Sequence, residues 1–425
     1  MEKILIKNGR LVDPANNIDE KRDILIEDGK IKEVADCIMQ VGDAKEINAE
    51  GKAVMPGFID LHVHLREPGF EYKETVETGA KAAARGGVTS ICPMPNTKPV
   101  IDSAESVKDL LKRAENSPVH ILPIGACTVG QEGKELADIE GMKEAGIVAL
   151  SEDGKSVMDS SLFRKSLKEA ARLNLPMFSH CEDKALVEGG VMNAGKKAKE
   201  LGLPGITNSV EDVIVARDII MSKEAGNRLH LCHCSTADSV VLVEMAKKQG
   251  LSVSAEVCPH HFTMSDDEIT EDNGRFKMNP PLRSRADVDA LKEGLKNGIM
   301  EVISTDHAPH GEEEKNQTML KAPFGIVGLE TSFALGYTEL VDKGVLTLSQ
   351  LVEKMSVNPA KVLGIDKGNL AQGKVADIVI ADITEEYEID SKKFVSKGKN
   401  TPFDGKKVKG RVITTIVDGK IVYHE

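Results

Sequence analysis

The chain has no tryptophan and no low-complexity tract, and its seven cysteines are an odd number at irregular spacings. That cysteine pattern excludes a disulfide framework of the kind that staples small secreted domains. No basic segment followed by an apolar stretch opens the sequence, so a cytoplasmic protein is expected. Apolar runs are short and interrupted by charge, as in "DVIVARDIIM", well below the roughly 20 residues that a bilayer span needs. Positive charge is in deficit too. A net charge of -13 offers no basic footprint for nucleic acid or an anionic membrane, although a local basic pocket is compatible with it.

What is present suits a globular protein. Of 425 residues, 40% are hydrophobic and 29% charged, enough to bury a sizeable core. Length alone suggests two to three domains, or a barrel-sized domain with a smaller companion. The first fifty residues alternate short strands and turns, "KILIKNGRLV" and "RDILIEDGKIKEV", with Asp28-Gly29 as a hairpin signal. The last sixty repeat that arrangement in "VADIVIAD" and "RVITTIVDGKIVYHE", with Asp418-Gly419 at the turn. Each end is too small to bury a core alone, so the two are expected to meet in one small sheet domain. The expected boundaries are 1–53 and 366–425 for that domain and 54–365 for the middle.

The middle alternates apolar runs with amphipathic segments of helical length, the signature of a parallel sheet. Eight runs read as strands: "AVMPGFID", "VTSICPM", "VHILPIG", "GIVALS", "LPMFSH", "RLHLCH", "LSVSAE" and "EVISTD". Six helices are expected between them, over "KETVETGAKAAARGG", "SAESVKDLLKRAEN", "SSLFRKSLKEAARLN", "SVEDVIVARDIIMSKEAG", "TADSVVLVEMAKKQG" and "SRADVDALKEGLKNG". Several start at a Ser or Thr cap and stop at Gly or Asn. The fold class is therefore α/β, a (β/α)8 TIM barrel whose chemistry belongs at the C-terminal ends of its strands.

Those ends carry His62 and His64, Asn96, Asp153, His180, His233 and Asp306. In an extended strand, residues i and i+2 share a face about 6.6 Å apart, so His62 and His64 can grip one ion. Imidazole and carboxylate ligands favour Zn2+, with Mn2+, Co2+ or Fe2+ as substitutes. A lone H-x-H motif is weak evidence, whereas ionisable groups at the ends of five separate apolar strands are hard to explain as packing. Four histidines and two aspartates are too many for one tetrahedral ion, which favours two Zn2+ ions per subunit bridged by a carboxylate and a hydroxide; one tightly bound ion is the alternative occupancy.

The segments "PGFIDLHVHLREPG", "MPNTKPV", "SEDG", "SHCED", "HLCHCST", "KMNPPLR" and "STDHAPH" together resemble the dihydroorotases of the cyclic amidohydrolase superfamily, in particular the longer type I class. The resemblance spans nearly the whole chain. It implies a distorted barrel, a small β-sandwich-like domain from both termini, and reversible cyclisation of N-carbamoyl-L-aspartate to L-dihydroorotate in pyrimidine synthesis. It assigns His62 and His64 to a first metal and His180 and His233 to a second. Asp306 becomes both a first-metal ligand and the general acid and base. Many superfamily members bridge their ions with a carboxylated lysine at the end of the fourth strand, but "GIVALSEDG" has none in the run. Asp153 stands at the bridging position, with Lys155 and then Glu152 as rivals.

A mechanism also follows from charge. Two Zn2+, two aspartates and a hydroxide sum to about +1, which suits an acidic substrate. Metal-acidified water would attack the ring amide carbonyl, and Asp306 would carry the proton to the departing nitrogen. Arg66, one step beyond His64, can grip a carboxylate with two hydrogen bonds, or else form a rim salt bridge with Glu67. The resemblance adds His64, Asn96, Asn279, His310 and the backbone at Phe324 and Gly325 as substrate contacts. Asn279 could equally serve a turn before Pro280, and "HAPHGEEEKNQTMLKAPFG" could be a lid or a disordered loop. A Cys/His zinc site from Cys232, Cys234, Cys258 and His260 lacks the usual C-x2–4-C spacing. Cys181 and Cys232 read as packing, and His260, His261 and His307 as either supporting or core groups.

Hydantoinase, dihydropyrimidinase and allantoinase are the rival enzymes. A catalytically silent assembly subunit is the rival class, and such relatives usually lose metal ligands. A homo-oligomer and association with aspartate carbamoyltransferase are both compatible with the sequence.

Overall fold

The computed structural model of the chain describes residues 3–39 and 41–425. Its two ends pair with each other. Ile4–Asp13, Ile18–Glu27, Lys30–Ala35, Lys45–Asn48 and Ala53–Pro56 share an eight-stranded sheet with Ile378–Asp382, Arg411–Val417 and Lys420–His424. The seam lies where Ala53–Pro56 runs antiparallel to Ile378–Asp382, with Val54 opposite Ile380. Ile4, Ile6, Ile24, Ile26, Ile378 and Ile380 occur at period two and are buried together, so alternation on each strand builds one shared core. Each such side chain contributes about 1.5–3 kcal/mol on burial.

Both expected hairpins form. Asp28 and Gly29 have φ of 52° and 77°, and Asp418 and Gly419 have 49° and 70°, the left-handed pair that a tight hairpin turn requires. The two turns abut so closely that a Cβ on Gly419 would lie 2.7 Å from Gly29 Cα. A larger residue there would drive the hairpins apart.

In the middle of the chain Phe58–Val63, Val88–Pro93 and His120–Ile121 form one parallel sheet. Ile124–Ala126, Ala149–Ser151, Met177–Ser179, Leu229–Leu231, Val253–Val257 and Val302–Ile303 form another, each beside its predecessor in the chain. All six expected helices are present, as Val76–Arg85, Ala104–Arg113, Ser160–Arg172, Ser209–Ala225, Ala237–Lys248 and Arg285–Lys296. The side chains of Thr75, Ser103, Thr236 and Ser284 each accept a first-turn backbone N–H, which ends the preceding loop at a defined residue.

Two expected strands are cut differently. The run 53–60 changes partner at Gly57: its N–H goes to Asp377 O at 2.9 Å, while that of Phe58 goes to Gly87 O at 3.0 Å. The run 119–125 breaks at Pro123, which has no N–H to give a ladder. Leu122 still donates to Ile91 O, whereas Pro123 O accepts from Val148 on the other side.

The first and last parallel strands also touch. Leu61 N–H faces Ser304 Oγ at 3.3 Å, and His64 N–H donates to His307 O at 2.8 Å. The C-terminal ends of the strands thus gather on one side, over an apolar floor that includes Ile59, Leu61, Met94, Phe178 and Val302.

Candidate metal centre

Each predicted ligand follows from where its strand stops. His62 lies in Phe58–Val63 and His64 just beyond it; Asp153, His180, His233 and Asp306 lie one to three residues past their own strands. All six are buried. Asp153 Oδ1 is 3.3 Å from His62 Nε2, 3.3 Å from His180 Nδ1 and 3.8 Å from His233 Nε2. Asp153 Oδ2 is 3.5 Å from His64 Nε2. Asp306 Oδ1 is 3.0 Å from His64 Nε2 and 3.5 Å from His62 Nε2.

Donor atoms of His62, His64 and Asp153 lie within 4.8 Å of one another, as do those of Asp153, His180 and His233. Asp153 is the residue common to both groups.

The tautomers show what the site can hold. His62 Nδ1 is 2.8 Å from Glu256 Oε1, and a carboxylate accepts, so Nδ1 carries the proton. His62 Nε2 then presents a lone pair, and it is buried with no hydrogen-bond partner among the described residues. Asn96 donates from Nδ2 to Asp153 Oδ2 at 3.0 Å, which leaves its Oδ1 to accept from His64 Nδ1 at 2.9 Å. His64 Nε2 is thereby also a lone pair. Two imidazole lone pairs facing carboxylate oxygens repel unless a cation lies between them, and an N/O donor set suits a borderline divalent ion. His180 Nδ1 and His233 Nε2, only 2.8 Å apart, offer a second such place.

The electrostatics agree. Burial works against a charged His62, yet Asp153 and Asp306 hold its pKa well above the usual imidazole range. For His180, burial opposes charge but Asp153 and Glu182 outweigh it and push the pKa up to about 10. The carboxylates create a demand for positive charge at this spot. Three of the residues here, Arg66, His233 and Asp306, have left-handed φ of 61°, 35° and 48°, backbone strain that concentrates at functional sites.

A cavity of about 180 Å³ opens over the cluster. Of the twelve predicted site residues, all but His62 and His310 line it. His62 lies beneath, and His310 stands behind Arg66, its Nε2 2.7 Å from Phe324 O. Gly325 has φ of 146°, and a Cβ there would meet the His310 ring at 2.9 Å, so glycine is required where the backbone passes the cavity.

Several open alternatives take definite positions. Glu152 is turned away, accepting the N–H groups of Cys127 at 3.1 Å and Thr128 at 3.2 Å, and Lys155 is exposed. Arg66 reaches Pro309 O, while Glu67 instead meets Arg113 at 3.0 Å. Asn279 donates to Glu182 and lines the cavity. The segment containing His310 packs rather than hanging free: it forms the short helix Glu312–Lys315, and Lys315 Nζ donates to the carbonyls of Lys277, Pro323 and Gly325, each at 2.9 Å. The suggested Cys232, Cys234, Cys258 and His260 set divides, since Cys258 groups with His260 and His261 and Cys232 with His62 and Glu256. His307 is buried beside Glu74 and accepts the Gly328 N–H at 3.1 Å.

Glu256 escaped the sequence reading, although it ends the run "LSVSAE" by the same rule that picked out the others. Its carboxylate holds His62 Nδ1 at 2.8 Å, the His233 N–H at 3.1 Å and His230 Nε2 at 3.0 Å. One residue therefore orients a histidine from each donor group. In Glu256→Gln, Zn2+ affinity measured by chelator competition is expected to fall about 10–100-fold; unchanged affinity would remove Glu256 from that role.

With this geometry, the chain can be set beside known proteins. A family model described as Dihydro-orotase-like matches residues 51–239. The chain is 49% identical over 425 residues to the dihydroorotase of Syntrophus aciditrophicus (strain SB), covering all of both. It is 47% identical over 422 residues to that of Bacillus cytotoxicus (strain DSM 22905 / CIP 110041 / 391-98 / NVH 391-98), covering 99% of this chain and 98% of the relative. Among solved structures, the L-hydantoinase (dihydropyrimidinase) from Arthrobacter aurescens superposes with a TM-score of 0.89 at 30% identity, over 100% of this chain and 96% of that one. Full-length identity at this level, on a chain whose buried histidines and aspartates converge at one set of strand ends, makes it a member of the dihydroorotase family of cyclic amide hydrolases.

Proposed function

We propose that this enzyme interconverts L-dihydroorotate and N-carbamoyl-L-aspartate in pyrimidine synthesis, using two Zn2+ ions. The observation that carries the reading is Asp153, shared between two groups of imidazole donors directly under a cavity that Arg66 enters. His62, His64, Asp153 and Asp306 would hold one ion, and Asp153, His180 and His233 the other. Such ions polarise a carbonyl oxygen and acidify water when bound.

The remaining work falls to the chain. Arg66 offers a forked pair of N–H groups to the substrate carboxylate, a match that lysine cannot copy. Asn96, Asn279 and the backbone at Phe324 and Gly325 bound the space for the ureide. Asp306 Oδ holds the proton in transit: in hydrolysis it receives the proton of the attacking water and returns it to the ring nitrogen as the C–N bond breaks. In the reverse direction it takes the proton from the carbamoyl nitrogen as that atom attacks the side-chain carboxyl carbon, and hands it to the oxygen that leaves as water when the C–O bond breaks. Asn96, donating from Nδ2 to Asp153 Oδ2 at 3.0 Å, keeps that carboxylate in place.

The fold reading belongs with this proposal. The parallel strands, with His120–Ile121 and Ile124–Ala126 as one interrupted strand, make a distorted (β/α)8 barrel over residues 54–365; the paired ends, 1–53 and 366–425, make the small β domain. The contact of Leu61 with Ser304 supports closure. No helix among the described residues is long and apolar enough to cross a membrane, and a cytoplasmic enzyme is part of the same reading. A homo-oligomer and a carbamoyltransferase partner are compatible with it.

The test is a substrate panel. Purified protein should hold two Zn2+ ions per chain by elemental analysis and turn over dihydroorotate in preference to hydantoin, dihydrouracil and allantoin. Preferential turnover of any of the other three would overturn the substrate assignment.

A further inference from the structure

After His64 the chain enters a loop that carries Arg66 and runs to the Thr75 cap of helix Val76–Arg85. From this loop Lys73 reaches back to the segment containing His310. Its Nζ lies 3.2 Å from His310 Nδ1 and 3.2 Å from Glu314 Oε1, and only 14% of its side chain is exposed. Tyr72 Oη donates to the same Glu314 at 3.0 Å, so the two segments are tied at successive residues.

The ring of His310 is thus held from both sides. A neutral imidazole has one N–H to give and one lone pair to offer. An ammonium only donates, so Nδ1 must be the acceptor. Phe324 O, 2.7 Å from Nε2, only accepts, so Nε2 must carry the proton. Arg66 Nη2 lies 3.3 Å from that same Nε2. Two donors cannot bond to each other, but an anionic oxygen lying against Arg66 Nη2 can share the Nε2–H with Phe324 O in a three-centre bond.

We propose that Lys73 is a positioning residue for the substrate carboxylate: by donating to His310 Nδ1 it locks the ring in the Nε2–H tautomer and sets a second donor beside Arg66. This rests on the carboxylate-binding reading of Arg66 given above. The groups that face His310 are Arg66, Lys73, Glu314 and Lys315. Burial, with Arg66, Lys73 and Lys315 nearby, pushes the His310 pKa down to about 2, in keeping with a ring that stays neutral. Without Lys73, either ring nitrogen could hold the proton, and part of the population would turn a lone pair toward the anion.

The experiment uses full-length enzyme loaded with Zn2+ and labelled with 15N at histidine. Long-range proton–nitrogen spectra, with His310 assigned by its loss in His310→Asn, report which ring nitrogen is protonated. The wild type should show Nε2–H alone, Lys73→Met a mixture of tautomers, and Lys73→Arg the wild-type form. KM for dihydroorotate should rise about tenfold in Lys73→Met, as for loss of one hydrogen bond to a charged group, with the loss on KM rather than kcat. Lys73→Arg should recover most of it. A wild-type ring protonated at Nδ1 or at both nitrogens overturns the proposal even if Lys73→Met fails to fold, as does a Lys73→Met enzyme with unchanged tautomer and KM. Failure of the wild type to turn over dihydroorotate would overturn the assigned function instead, and the tautomer spectra would still decide the role of Lys73.

Discussion

Asp306→Asn is expected to lower dihydroorotate turnover by about 10²–10⁴-fold, the usual worth of a positioned proton carrier. The substitution keeps the shape of the side chain and one oxygen that can still face a cation shared with His64, whose Nε2 is 3.0 Å from Oδ1. What it removes is the ability to take a proton at one oxygen and release it to another atom. Substrate affinity should therefore change little, and the loss should appear in kcat. The strained φ of 48° at Asp306 belongs to the same argument, because it turns this carboxylate toward His62 and His64 from the loop beyond Val302–Ile303. Full turnover in Asp306→Asn would exclude it as acid and base.

Asp153→Ala should act on the metal itself. Asp153 contributes to both donor groups, so its loss removes a ligand from each of the two places at once. With two Zn2+ ions bound as proposed, the content is expected to drop to one or none per chain, with turnover lower by at least about 10³-fold, since losing several kcal/mol of charge stabilisation at about 1.4 kcal/mol per tenfold amounts to that much. The rivals for the bridge are poorly placed. Glu152 already accepts the Cys127 and Thr128 N–H groups, and Lys155 faces outward. Should Asp153→Ala keep both ions, one of those two side chains would have to swing inward to hold them.

Much of this centre is legible from strand ends alone. His62, His64, His180, His233, Asp153 and Asp306 stand out because an ionisable group closing an apolar run is costly to bury without a partner. Glu256 obeys the same rule and was equally available to it. Lys73 was not: it opens the expected helical segment "KETVETGAKAAARGG", where a lysine reads as a solvated surface group, and only the structure leaves it in the loop before Thr75 and brings up residues 310–314, more than 230 positions later, to give it a ring nitrogen to meet. Pro123 could have warned of the broken strand, since a proline inside an apolar run removes a ladder donor. Pro56, directly before Gly57 in "AVMPGFID", carried the same warning of the switch of partner there. There the decision belongs to Asp377 and Gly87, which take successive N–H groups on opposite sides of the turn.

By itself, then, the sequence determined the alternation of strand and helix, the pairing capacity of the two ends and the ligand types of the centre, all of which depend on local periodicity and on the chemistry of single side chains. The tertiary structure decided that Asp153 serves both donor groups, that Glu256 and Asn96 leave lone pairs on His62 and His64 turned toward the carboxylates, and that Lys73 faces His310. Those outcomes depend on which atom of a ring or carboxylate points where, and that direction is set by backbone segments that meet only after the chain has folded.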